Sequence, residues 1–123
     1  MGLSDAVSVI VRSVIKIPDG VTEIGDSAFE GCTGLTGIHI PDSVTEIGKS
    51  AFAGCSGITK INIPGDVSVI EKGAFRGCAG LTEITIPRSV IRITERAFNG
   101  CGLRDVSIQV AYQLALEPLV SAL

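Results

Sequence analysis

Residues 40–62 read IPDSVTEIGKSAFAGCSGITKIN, a unit of 23 residues that the chain repeats. Pro18, Pro41, Pro64 and Pro87 stand 23 apart, and so do Phe29, Phe52, Phe75 and Phe98, and Cys32, Cys55, Cys78 and Cys101. The shared pattern is I-P-x-x-V-x-x-I-x-x-x-A-F-x-G-C-x-G-[LI]-x-x-[IV]-x. A period this short predicts a repeat solenoid, in which each coil packs on its neighbours and no single central core is needed.

Within the unit, the segment that ends at proline alternates apolar and polar residues. Leu35-Thr36-Gly37-Ile38-His39-Ile40 is the first complete instance, with Ile38 and Ile40 expected inward and Gly37 and His39 outward. Proline ends this strand because it has no N–H to give to a ladder. A second apolar pair follows on the other side of each coil: Val21/Ile24, Val44/Ile47, Val67/Ile70 and Val90/Ile93. Its i, i+3 spacing fits one turn of the coil better than a long strand. The Ala-Phe-x-Gly-Cys corner is expected to form a short helical or 3₁₀ turn, with the phenylalanines stacked as an internal spine.

The pattern divides the chain into three parts. Residues 1–17 read as an N-terminal cap, a degenerate repeat in which Val7-Ser8-Val9-Ile10 echoes Val67-Ser68-Val69-Ile70 and the A-F-x-G-C corner is missing. Residues 18–108 hold the full repeats, the last one residue short at Gly100-Cys101-Gly102-Leu103. Residues 109–123 read as a C-terminal cap or docking tail, in which Val110, Leu114, Leu116 and Leu119 allow a short helix broken near Pro118.

Composition narrows the function classes. Ten basic and 13 acidic residues leave a net charge of −3, which argues against a nucleic-acid or anionic-membrane footprint. Met1 to Ile10 carries Asp5 and lacks both a basic and an apolar signal region, so no secretory leader is expected. Val106 to Leu123 is interrupted by Gln109, Gln113, Glu117 and Pro118, so no membrane insertion is expected either. These features leave the compartment open: an intracellular protein, or a piece of a longer one.

Four evenly spaced cysteines raise the question of a metal. Stacked coils lie about 4.8 Å apart, so the outer two cysteines of such a row would be about 14 Å apart. One tetrahedral Zn²⁺ with sulfur at about 2.3 Å cannot gather them. Each follows a glycine at a corner that needs a small inward side chain, which is the place of a reduced, structural thiol. His39 is the only histidine and is expected to face away from Cys32, so neither a Cys-His nor a Ser-His-Asp set can be assembled. No metal, cofactor or catalytic residue is predicted.

Leu81-Thr82-Glu83-Ile84-Thr85-Ile86 matches the strand signature L-x-x-L-x-L, and the fuller unit IPDSVTEIGKSAFAGC resembles the BspA-like subclass of leucine-rich repeats. The resemblance spans about residues 13–108. It implies a leucine-rich repeat horseshoe segment, β-rich with a parallel sheet on its concave face, used for adhesion or protein binding. The candidate partner-binding residues are then the outward positions of the concave strands. One column runs Val14, Gly37, Lys60, Glu83, Asp105, a second Lys16, His39, Asn62, Thr85, Ser107, and a third Ser13, Thr36, Thr59, Thr82, Arg104. Together they predict a contiguous polar surface, basic toward the first coils and acidic toward the last. The leading expectation is a non-enzymatic module that binds a protein partner through Lys16, His39, Lys60, Asn62, Glu83, Thr85, Asp105 and Ser107. The rival is a structural protein that forms homodimers through its terminal segments.

Overall fold

A computed structural model describes residues 13–94, 96–103 and 105–108. Its strands, in chain order, are β1 (Ser13–Lys16), β2 (Glu23–Ile24), β3 (Leu35–His39), β4 (Glu46–Ile47), β5 (Lys60–Asn62), β6 (Val69–Ile70), β7 (Glu83–Ile86), β8 (Arg92–Ile93) and β9 (Asp105–Ile108). The odd-numbered strands form one face of a repeat solenoid and the even-numbered strands another, and every pairing is parallel. Register follows the 23-residue period, as in Ile24↔Ile47, Ile47↔Ile70 and Ile70↔Ile93. The even-numbered strands refine one expectation. The Val/Ile pair at i, i+3 forms no long strand, and the second residue of each pair sits in a two-residue strand of a four-stranded ladder.

The core is a set of rows that run along the stack. Ile47, Ile70 and Val44, Val67 are almost completely enclosed, as are Ala51, Ala74, Ala97 and Ile58, Leu81. No polar or charged residue is buried among the described residues. The phenylalanines form the spine that the sequence predicts. Ring centroids are 5.3 Å apart for Phe29–Phe52 and 5.4 Å for Phe52–Phe75 and Phe75–Phe98, with planes within 5° of parallel. Identical residues can stack at this spacing because each coil repeats the one before it with the same side-chain direction.

The corner that carries the phenylalanines is not a helix, contrary to the expected helical or 3₁₀ turn. Its N–H groups alternate between two kinds of acceptor. Ala28, Glu30 and Cys32 donate to carbonyls three residues back (3.1–3.2 Å), while Ser27, Phe29 and Gly31 donate to Lys49, Ala51 and Ala53 of the next coil (2.7–2.8 Å). The same alternation recurs at Ala51, Ala53 and Cys55 against Ser50, Phe52 and Gly54. A 3₁₀ helix needs every donor for its own i→i+3 series, and here half of them are committed to the neighbour. The left-handed backbone at Ser27, Ser50 and Arg96, with φ of 56–60°, also breaks any helical run.

One glycine row is set by close approach. A Cβ at Gly57 would stand 2.7 Å from the Thr33 carbonyl oxygen, and one at Gly102 would stand 2.7 Å from that of Ala79. Coils can therefore stack at strand spacing there only without a side chain. Of the cap read over residues 1–17, the described part begins at Ser13 and supplies β1, paired with β3, while residues 1–12 and the tail read over 109–123 lie outside the described residues.

Candidate functional site

The odd-numbered strands bring the predicted columns together. Lys60 pairs in register with Glu83 and Glu83 with Asp105, Asn62 pairs with Thr85 and Thr85 with Ser107, and Lys16 pairs with His39. Lys16, His39, Lys60, Asn62 and Glu83 are exposed and Thr85 is half-buried, while Ile61, Ile84 and Ile86 between them are buried. For Asp105 and Ser107 the backbone register is the whole description. The third column is partly taken up by the stack itself, since the Thr82 N–H donates to the Thr59 carbonyl at 3.1 Å. Arg104 lies outside the described residues.

The face is not one continuous ladder. β1 and β3 form a two-stranded sheet and β5, β7 and β9 a three-stranded one, so the ladder is interrupted between β3 and β5. At that interruption lies a shallow cleft of about 210 Å³, with His39 and Asn62 on its two sides and Ile38, Ile63, Pro64 and Gly65 among its other walls. The expected contiguous surface is thus divided, with Lys16 and His39 in one part and Lys60, Asn62, Glu83 and Thr85 in the other.

The cysteine row is built into the corner. The Sγ of Cys55, Cys78 and Cys101 donates to the carbonyl of Phe29, Phe52 and Phe75 respectively, at 3.0, 3.0 and 3.1 Å. Each thiol therefore reaches back 26 residues to tie its coil to the preceding one. Burial pushes the Cys55 thiol up to about 11 from 9.0. Cys78 is also pushed up, by its hydrogen bond with Cys101 and by burial. That same hydrogen bond lowers Cys101. Cys55 and Cys78, held protonated, are poor nucleophiles, because the thiolate is the reactive form. Among the described residues, no group of three or more His, Cys, Asp or Glu is placed to hold a metal ion.

Two surface features lie outside the columns that the sequence reading selected. On the face of β2, β4 and β6 is a broad depression of about 500 Å³ whose acidic walls are Glu23, Asp26, Glu46 and Glu71. Asp26 has a structural task there: its Oδ1 accepts the Lys49 N–H at 2.9 Å. On the adjoining corner lies a smaller depression of about 240 Å³ lined by Lys49, Ser50, Lys72, Gly73, Arg76 and Arg96. Reading these turn residues as columns 23 apart, as was done for the strands, would have revealed the clustering of charge.

The family model for the BspA type leucine rich repeat region matches residues 11–114 in six copies, extending past Ile108 into the segment read as a tail. Among solved structures, the chain is similar to a leucine rich cell surface protein from Faecalibacterium prausnitzii, with 32% identity over 85% of this chain and a TM-score of 0.65. A leucine-rich repeat protein from Bacteroides ovatus matches at 36% identity over 76% of this chain, TM-score 0.72. One from Bacteroides capillosus matches at 34% over 78%, TM-score 0.69. The matches cover 34%, 24% and 76% of those three proteins, so this chain spans about a third and a quarter of the length of the first two. Among curated proteins nothing matches it.

Proposed function

The chain belongs to the BspA type leucine-rich repeat family, and from that membership we propose that it is a non-enzymatic, adhesion-type binding module whose partner is another protein. Repeats of this family serve generally as protein-interaction modules. The proposed contact surface is the long-strand face, where Lys16, His39, Lys60, Asn62, Glu83 and Thr85 differ in charge and size and the backbone register continues the two columns to Asp105 and Ser107. The observation that carries this reading is the contrast across each strand. Ile61 and Ile84 are buried in one inward column while their exposed neighbours change from Lys60 to Glu83, and the backbone register carries the same columns on to Asp105 and Val106. A parallel ladder aligns such columns at about 4.8 Å spacing, which suits a partner that spans several coils. The description of the Faecalibacterium relative as a cell surface protein supports an adhesion-type role.

The test is a capture experiment from an extract of the source organism and of its surroundings, with wild type and a Lys60→Glu/Glu83→Lys variant as baits. The pair exchange preserves net charge and inverts the local pattern. A protein retained by wild type and lost with the exchange is the expected result. Equal retention by both baits would remove this face from the proposal.

A further inference from the structure

Charge is distributed unevenly along the stack. Residues 18–40 contain Asp19, Glu23, Asp26 and Glu30 and no Lys or Arg, whereas residues 87–108 contain Arg88, Arg92, Arg96 and Arg104 against Glu95 and Asp105. The fold concentrates part of the cationic charge in the corner depression of the second to fourth coils. Lys49, Lys72, Arg76 and Arg96 are its charged lining residues, and all are exposed. The backbone beneath them is held by the ladder: Ser50 N–H donates to the Lys72 carbonyl (3.1 Å), Gly54 N–H to that of Arg76 (2.7 Å) and Arg76 N–H to that of Gly73 (3.0 Å). A depression lined by Lys49, Lys72, Arg76 and Arg96 favours an anion. Arg96 sharpens the point. It occupies the left-handed region with φ of 60°, at the repeat position of Ser27, Ser50 and Gly73. Residues with a Cβ enter that region at a cost, and earlier coils make the same turn with serine or glycine. The turn has no need of the guanidinium.

We propose that this depression binds the sulfate groups of a linear sulfated polysaccharide lying along the solenoid axis. The site is on a different side of the coils from the long-strand face, so it stands or falls independently of the protein-binding proposal. Lys49 and Lys72 hold equivalent positions one coil rise apart, a rise that the phenylalanine stack sets at 5.3–5.4 Å, and Arg76 and Arg96 join them from other points of the third and fourth coils. A pyranose ring in a linear chain advances by a similar length, so successive sugars meet successive coils. Arginine holds a tetrahedral oxyanion through paired N–H groups, and lysine adds a mobile point charge. Nucleic acid fits less well, because tolerant single-strand binding uses exposed aromatic platforms and Phe52, Phe75 and Phe98 at this corner are buried. An anionic bilayer fits less well too, because the adjoining depression with Glu23, Asp26, Glu46 and Glu71 would face the same surface. Glu71, next in sequence to Lys72 and on the wall of the adjoining acidic depression, bounds the footprint on that side.

The experiment measures binding of a fluorescent heparin-derived hexasaccharide to the full chain at low and at physiological salt. Parallel arms use the desulfated sugar, phosphatidylserine vesicles and a single-stranded DNA oligonucleotide. Saturable, salt-weakened binding is expected, at least about tenfold weaker for Arg76→Glu/Arg96→Glu and within about twofold of wild type for Lys60→Glu on the other face. Both arginines are exposed, so the double variant should keep its melting temperature; Arg76→Gln/Arg96→Gln serves as the milder version if it does not. Absence of saturable binding at low salt would overturn the proposal. So would wild-type affinity in both double variants, equal binding of the desulfated sugar, or tighter binding of vesicles or DNA.

Discussion

The phenylalanine corner and the long-strand face are made by the same four coils, yet they are constructed differently. At the corner inter-coil hydrogen bonds recur in every coil from Ser27–Lys49 to Gly77–Asn99, the rings stack, and each donating thiol reaches the carbonyl of the preceding coil. On the long-strand face the ladder breaks between β3 and β5, and the outward residues change from coil to coil. One side of the coil thus carries cohesion and leaves the other free to vary. In a solenoid, where stability is close to a sum of neighbour terms, concentrating those terms on one side relaxes the constraint on the opposite one.

The largest expected effect is at the corner. Phe52→Ala removes a buried ring stacked on both sides and should cost about 3–5 kcal/mol in denaturant unfolding. A loss below about 1 kcal/mol would mean that cohesion lies elsewhere. Alkaline titration probes the thiols of the same region. The Cys55 thiol is raised from 9.0 to about 11 in the folded chain, so between those values the unfolded chain has released a proton that the folded chain retains. Unfolding free energy then falls as pH rises, with the contribution intact below pH 9 and as much as about 3 kcal/mol gone above 11. Cys78 is raised as well, so a Cys55→Ala variant should show a shallower slope, and an unchanged slope would assign all of it to other groups. The smallest effect belongs to the strand face: Lys60→Glu should change stability by no more than about 0.5 kcal/mol. A larger change would show that the face contributes to cohesion after all and would erase the contrast.

The corner rows were legible in the chain because the period alone aligns Phe with Phe and Cys with Cys. The long strands were legible because alternation over Leu35 to Ile40 is long enough to show. Two-residue strands such as Glu46–Ile47 cannot display alternation, so Val44 and Ile47 read as a turn. The hydrogen bonding of the corner was hidden for another reason. Whether the Phe29 N–H turns to its own coil or to Ala51 is decided by how closely coils stack, and the local sequence is compatible with either. The interruption between β3 and β5 left no trace because both segments follow the same pattern. The register of the strand columns followed directly from the repeat, whereas the two charged depressions arise from turn residues of separate coils whose charges are unremarkable when read along one unit.

The corner ladder has one further property. Every inter-coil bond in it, from Ser27, Phe29 and Gly31 through Ser50, Phe52 and Gly54 to Phe75 and Gly77, sends an N–H from the earlier coil to a carbonyl of the later one. The peptide dipoles of that column therefore point the same way and add along the axis, as they do in an α-helix, whereas the bonds of Thr45, Gly48, Ile91 and Thr94 on the short-strand face run the opposite way. The stack consequently has electrical ends as well as structural ones. At the corner, a coil docking after the fourth must bring carbonyls, and one docking before the first must bring N–H groups. Coils can join this stack in one orientation only, and the rule is written in the backbone, independent of which side chains the coils carry.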